Sequence, residues 1–147
     1  MRILAVDLGK ARTGLAVCDA EERLATPAGV IADRDWNSLM RKIATRADSA
    51  AVGCIVVGLP RNMDGTEGES AQNARGFAEG LRQMVTVPVV LRDERGTTLT
   101  AHGYLNATNT RGKKRKAVVD AVAATIILQD YLDYRRNQRE KSAENNG

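Results

Sequence analysis

The chain has 147 residues, 43% of them hydrophobic, and no apolar run long enough to cross a membrane, which suits one globular domain with a core of its own and excludes a disordered or membrane-spanning chain. Its 22 lysines and arginines against 18 acids give a net charge of +4, which fits a polyanionic partner. The two cysteines, Cys18 and Cys54, sit in apolar runs and read as buried reduced thiols rather than a disulfide; with no signal-peptide pattern at the N-terminus, the expectation is a cytoplasmic protein.

The first stretch, Arg2-Ile3-Leu4-Ala5-Val6-Asp7-Leu8-Gly9, runs apolar without a break and stops at Asp7. Such a run, bounded by glycine, predicts a strand buried on both faces. Gly9 to Gly14 forms a turn and Leu15 to Asp19 a second strand, so the pair is a hairpin. The charged turn Glu21-Glu22-Arg23 leads to a third strand near Ala25 to Ile31, which Pro27 marks as an edge or a bulge. Asp35 is placed to N-cap a helix in which Trp36, Leu39, Met40, Ile43 and Ala47 form the core stripe. Ala51 to Gly58 is a second strongly buried strand, parallel to the first because a helix crosses between them.

Leu59 to Gly68 is a Gly/Pro/Asn-rich loop at the carboxyl end of that strand. Thr66 and Glu69 then have capping-box spacing, and the helix they open carries Ala71, Ala74, Ala78, Leu81 and Val85 on one face. Val87 to Leu91 is the last strand, with Pro88 arguing for an edge, and it runs straight into Arg92-Asp93-Glu94-Arg95. A short helix over Thr97 to Leu105, a basic loop holding Arg111, Lys113, Lys114, Arg115 and Lys116, and a helix from about Lys116 to Tyr134 complete a domain over 1–134. Arg135 to Gly147 is polar and is expected to be frayed or disordered. This order predicts an α/β fold, a mixed sheet with helices on its faces.

Three acids stand where a charge is costly. Asp7 ends a buried strand. Glu94 follows the last strand, and the carboxyl ends of parallel strands line the functional crevice of α/β sheets. Asp120 lies in a helix that is apolar almost all round, where a carboxylate is expensive unless it is paired or holds a metal. A salt bridge to Arg92 or Lys116 is the structural alternative. Three carboxylates without a cysteine or histidine cluster favour a hard cation, Mg²⁺ or Mn²⁺. Two such ions roughly 3.5–4 Å apart can activate a water and stabilise the leaving oxygen in phosphoryl transfer, with Asp7 as the natural bridge.

Other chemistries find less support. His102, the one histidine, falls on a predicted exposed helix, and no nucleophilic triad assembles around it. Gly9 to Gly14 lacks the Gly-Lys-Ser/Thr of a P-loop, and no Gly-x-Gly-x-x-Gly fingerprint follows a strand. The few aromatics (Trp36, Phe77, Tyr104, Tyr131 and Tyr134) offer little for stacking bases, so a nucleic-acid partner would be held through phosphates and shape.

The segments Ile3 to Gly9 with Arg12-Thr13-Gly14, Val57-Gly58-Leu59-Pro60-Arg61-Asn62-Met63-Asp64-Gly65-Thr66-Glu67-Gly68, Asp93-Glu94-Arg95, and Lys113 to Lys116 with Val119 to Ala124 together resemble the YqgF/RuvX family. These are small bacterial RNase H-like nucleases, described as Holliday junction resolvases and as pre-16S rRNA processing nucleases. The resemblance covers about residues 1–134, and the long loop segment is its most specific part. It implies an RNase H-like sheet of five strands flanked by helices and Mg²⁺-dependent phosphodiester hydrolysis. The family's metal-binding acids map onto Asp7, Glu94 and Asp120. Gly96 departs from the family's usual leucine beside Glu94. One turn after Asp120, Ala123 or Ala124 stands where related resolvases often carry a fourth acid, so a second metal is held weakly or Asp93 assists.

The expectation is a metal-dependent endonuclease, with Mg²⁺ or Mn²⁺ at Asp7, Glu94 and Asp120. Lys10, Arg12, Arg61 and Arg95, with Lys113, Lys114, Arg115 and Lys116, are its phosphate contacts. Asp64 and Glu67 are capping or hinge residues. Processing of a ribosomal RNA precursor is the first choice of substrate, on the family alone. Resolution of four-way DNA junctions is the second, and it would need a homodimer where the first allows a monomer. Rivals of another class are a nucleotide-binding module of the actin and sugar-kinase type, for which 147 residues leave no second lobe, and a non-catalytic RNA-binding protein.

Overall fold

The computed structural model describes residues 1–93 and 112–146, with the side chains of 1–93 and 122–143. Five strands, β1 (Ile3–Asp7), β2 (Thr13–Cys18), β3 (Ala25–Ile31), β4 (Cys54–Leu59) and β5 (Val89–Asp93), form one sheet in the order β3-β2-β1-β4-β5. β1 is antiparallel to β2 and parallel to β4, and β4 is parallel to β5. Three helices accompany them: α1 (Trp36–Ser49), α2 (Glu69–Arg82) and α3 (Gly112–Asn146).

β1 is central because it is apolar on both sides. Leu4 and Val6 join Leu15, Ile55 and Val57 under α1 and α2, which press Leu39, Ile43, Phe77 and Leu81 onto that face. Ile3 and Ala5 join Ala16, Cys18, Cys54 and Val56 on the other face, under Ala124, Ile127, Leu128 and Leu132 of α3. Burial of side chains of this size contributes about 1.5–3 kcal/mol each, so the two layers hold the sheet between them. Trp36 lies at the rim, 39% exposed, with its ring edge-on to Phe77. Both cysteines are buried and unbridged.

The prolines mark the edges as expected. Pro27 lies in edge strand β3, whose register shifts opposite Leu15 and Ala16, and Gly29 takes a positive φ of 98° there. Pro88 precedes edge strand β5 and accepts from the Ile55 amide through its carbonyl. Asp35 caps α1 by accepting from the Asn37 amide at 3.2 Å.

Two local expectations need correction. α2 has Gly68 at its N-cap and no side-chain cap, because the Thr66 hydroxyl is engaged with Asp64 at 2.7 Å. The last helix begins at Gly112 and runs to Asn146, so Lys113 to Lys116 are helical rather than in a loop, and residues 135–146 continue the helix instead of fraying. The predicted Thr97 to Leu105 helix, with His102, lies outside the described residues.

Candidate metal and nucleic-acid site

Asp7 is the last residue of β1, part-buried, on the sheet face that α3 covers. Strand register defines its surroundings. Gly14 stands opposite it on β2, and Val30 stands opposite Gly14 on β3. On the other side Val6 pairs with Val57, which puts Gly58 beside Asp7, and Gly58 pairs with Arg92. The row across the sheet therefore reads Val30, Gly14, Asp7, Gly58, Arg92. Neither immediate neighbour of Asp7 contributes a side chain.

β4 and β5 run parallel to β1, so their carboxyl ends meet at the same edge of the sheet. Asp93 ends β5 opposite Leu59 on β4. Leu59 belongs to the core under α1 and α2, so Asp93 points to the face away from Asp7. That orientation does not favour Asp93 as a helper at the same cation.

Arg61 explains the direction. Its guanidinium lies 3.8 Å from Asp93 and 3.4 Å from Glu67, while Nε is buried without a hydrogen-bond partner among the described residues. Glu67 in turn takes both forks of Arg75, at 2.7 and 2.8 Å. The Arg75 guanidinium holds the Glu67 carboxyl below the usual glutamate range. An Arg61–Glu67 bridge and the Asn62–Thr66 backbone bond close the 61–67 segment into a small hairpin at the end of β4. Asp64 and Glu67 thus brace this loop, Asp64 through Thr66 and Glu67 through the two arginines, and cap no helix.

Lys10 is exposed and Arg12 half-buried in the β1–β2 turn, at the edge where Asp7 ends. The turn is tight: a Cβ on Gly9 would come within 2.1 Å of the Arg12 carbonyl oxygen. Lys113, Lys114, Arg115 and Lys116 follow Gly112 at the start of α3, whose first turn contains no acidic residue. Cations there are unfavourable beside the positive end of the helix dipole, and an anion relieves both. Glu94, Arg95 and Gly96, and the side chains of Asp120 and of 113–116, lie outside the described residues.

An oxygen donor ending a buried strand, with glycine on both sides, fits a hard divalent cation and leaves the remaining coordination to other oxygens. The described residues supply one carboxylate there, and among them no group of three His, Cys, Asp or Glu converges. Arg92, one of the alternative partners considered for Asp120, directs its Nε to Asp130 at 2.7 Å and lies over the Tyr134 ring at 4.6 Å. Tyr131 and Tyr134 stack at 6.1 Å, a pairing of aromatics at helical spacing that the count of aromatics alone does not suggest.

The family described as "RuvX: Holliday junction resolvase" matches residues 1–134. A relative from Anaeromyxobacter sp. (strain Fw109-5), named "Putative pre-16S rRNA nuclease", is 45% identical over 135 residues, which is 92% of this chain and 98% of its own. Relatives of the same name come from Streptomyces avermitilis, 42% identical over 92% of this chain and 87% of theirs, and from Chloroflexus aurantiacus, 39% identical over 97% and 93%. Among solved structures, Thermus thermophilus RuvC superposes with a TM-score of 0.58 at 15% identity, over 93% of this chain and 97% of its own. The fowlpox virus Holliday junction resolvase does so with 0.54 at 14%, over 91% and 99%. At these identities the likeness is one of fold: the five-stranded mixed sheet with helices is that of the RNase H-like resolvases.

Proposed function

Because the chain belongs to the RuvX (YqgF) family, we propose that it is a metal-dependent endonuclease that hydrolyses phosphodiester bonds and acts on the precursor of 16S ribosomal RNA. The observation that carries the reading is Asp7: a carboxylate at the carboxyl end of the central strand, between Gly14 and Gly58, on the face covered by the helix that bears Asp120. Asp7, Glu94 and Asp120 are the residues that would hold Mg²⁺ or Mn²⁺. When bound, such an ion supplies a Lewis acid for the phosphoryl oxygens and a water acidic enough to attack.

The chain's own residues bind and orient. Lys10 and Arg12, on the turn that follows Asp7, take phosphates flanking the scissile one. Arg61 donates to the backbone from the loop side. Its contacts to Asp93 and Glu67, at 3.8 and 3.4 Å, are long for an ion pair and exchange readily for a phosphate. Arg95 and Lys113 to Lys116 complete the track, with the positive end of α3 behind the latter.

The names of the relatives favour ribosomal RNA, which would place the protein in the cytoplasm. The description of the family favours four-way DNA junctions. A cleavage panel of precursor rRNA and junction DNA, in Mg²⁺ and in Mn²⁺, separates them. Asp7→Asn is expected to abolish cleavage of whichever substrate is cut, and to weaken calorimetric metal binding, while its circular dichroism stays that of wild type. Wild-type cleavage by that variant would sink the site. Junction resolution further requires two sites, so a monomer by light scattering on bound junctions would leave the RNA reading alone.

A further inference from the structure

The charged surface not used so far is on the opposite flank of the Asp7 edge. Ser38, Arg41, Lys42 and Thr45 recur at helical spacing on α1, away from its core stripe of Leu39, Met40, Ile43 and Ala47. With Ile31 and Arg46 they line a shallow groove of about 430 Å³ between α1 and edge strand β3.

The state of the arginines distinguishes this groove. Among the described residues, Arg34 and Arg41 are the arginines that make no hydrogen bond and no ion pair. Both are exposed. The nearby acids do not offset them. Asp33 is taken by Lys42 at 2.8 Å and by the Ser38 hydroxyl at 2.5 Å, and Asp35 caps the helix. Arg46 is fixed to the Ala28 carbonyl at 3.0 Å and forms the groove's far wall.

The groove opens at the same end of the sheet as the candidate site but on the other face: Ile31 belongs to the layer under α1 and α2, and Asp7 lies on the face that α3 covers. Ile31 pairs with Thr13, the first residue after the turn that carries Lys10 and Arg12. Val30, its neighbour, stands two strands from Asp7 in the row described above, about 10 Å away by strand spacing. A phosphate backbone that leaves the crevice past Lys10 and Arg12 would reach this groove by turning around edge strand β3. α1 then carries cations along a path of about 20 Å.

We infer that the α1–β3 groove is a second backbone-binding surface, which takes the arm of the nucleic-acid substrate that flanks the cleaved segment, with Arg34 and Arg41 as its phosphate contacts. The unpaired Arg41 guanidinium lines the groove and the unpaired Arg34 guanidinium stands in the connection between β3 and α1; together they match a polyanion in charge and in donor geometry, and they read no sequence. This rests on the nuclease reading and extends it to where the substrate runs.

The test is equilibrium binding in EDTA, followed by fluorescence anisotropy between 50 and 200 mM KCl, on a labelled structured RNA and on a labelled four-way DNA junction. Each lost phosphate contact lowers the slope of log K against log salt by about 0.7–0.9. Arg34→Gln/Arg41→Gln is expected to lower that slope by about 1.5 and to weaken binding roughly tenfold at the low-salt end, on whichever probe the wild type binds. Arg23→Gln removes an equally exposed arginine at the other end of the sheet, where it pairs with Glu21, and is expected to keep the wild-type slope. A double variant with the wild-type slope, or an Arg23→Gln variant with the same loss, overturns the groove while the nuclease reading stands. Failure of the wild type to bind either probe overturns both.

Discussion

The hydroxyl of Thr13 is a small test of how the site edge is built. Thr13 is 1% exposed, and its Oγ1 has no hydrogen-bond partner among the described residues. A buried hydroxyl without a partner costs about 1–3 kcal/mol, while an apolar group of the same shape is near neutral or better. Thr13→Val is therefore expected to leave the melting temperature unchanged or to raise it by about 2–4 °C, read by calorimetry. A fall of that size would mean that the hydroxyl bonds to something in the folded protein. Residues of this kind were not legible in the sequence. Thr13 reads there as part of a turn, and only the pairing with Ile31 shows it sealed into the sheet. Asp7 was legible, because an acid that ends a buried apolar run has no cheap explanation. Arg61 was legible as a cation in the loop after β4, but its acid partners 6 and 32 positions away come from loop closure and strand order, which no local pattern encodes.

At the scale of the element, α3 departs furthest from expectation. It has 35 residues, about 52 Å of helix, and its apolar positions end at Leu132. Beyond that the sequence is polar all round, which is why periodicity stops the helix early. What extends it is remote. Arg135 and Arg139 reach Glu22 at 2.6 and 3.2 Å, 113 and 117 positions back, beside the Met1 ammonium at 3.1 Å. Arg135 above all holds the Glu22 carboxyl at about 2, against an ordinary 4.5, with its side chain 9% exposed. The folded value lies below the unfolded one, so this stabilisation is present above about pH 4.5 and is lost as pH falls towards 2. Its full size is on the order of 3 kcal/mol. Glu22→Gln is expected to be less stable than wild type at pH 7 by an amount of that order, and to lose less on acidification, in urea melts taken from pH 7 to pH 2.5. Parallel pH profiles would sink the assignment. Asp33, which Lys42 also holds at about 2, adds acid sensitivity common to both proteins.

At the scale of the molecule, the β1–β2 hairpin, the parallel β1–β4 pair and the edge position of β5 could be read in advance, because two apolar runs, a crossing helix and Pro88 leave few other arrangements, while Pro27 left an edge or a bulge open and β3 has both. Strand ends shifted by about two residues where Pro88 and the Gly-rich turns set the start of pairing. The site needs more than order. It needs register, and register is what places Gly14 and Gly58 on either side of Asp7. In the proposed enzyme this makes loading and turnover separable. Asp7→Asn removes a ligand and should lose both. Gly58→Ala removes no acid and raises a methyl beside the carboxylate. It is expected to keep the calorimetric titration with Mn²⁺ close to wild type while cleavage falls at least tenfold. Undiminished cleavage would mean that the flank of Asp7 is not where the scissile phosphate rests. A protein loaded but stalled by one methyl would hold its substrate uncut, a means of trapping what it binds in the cell without touching a single charge.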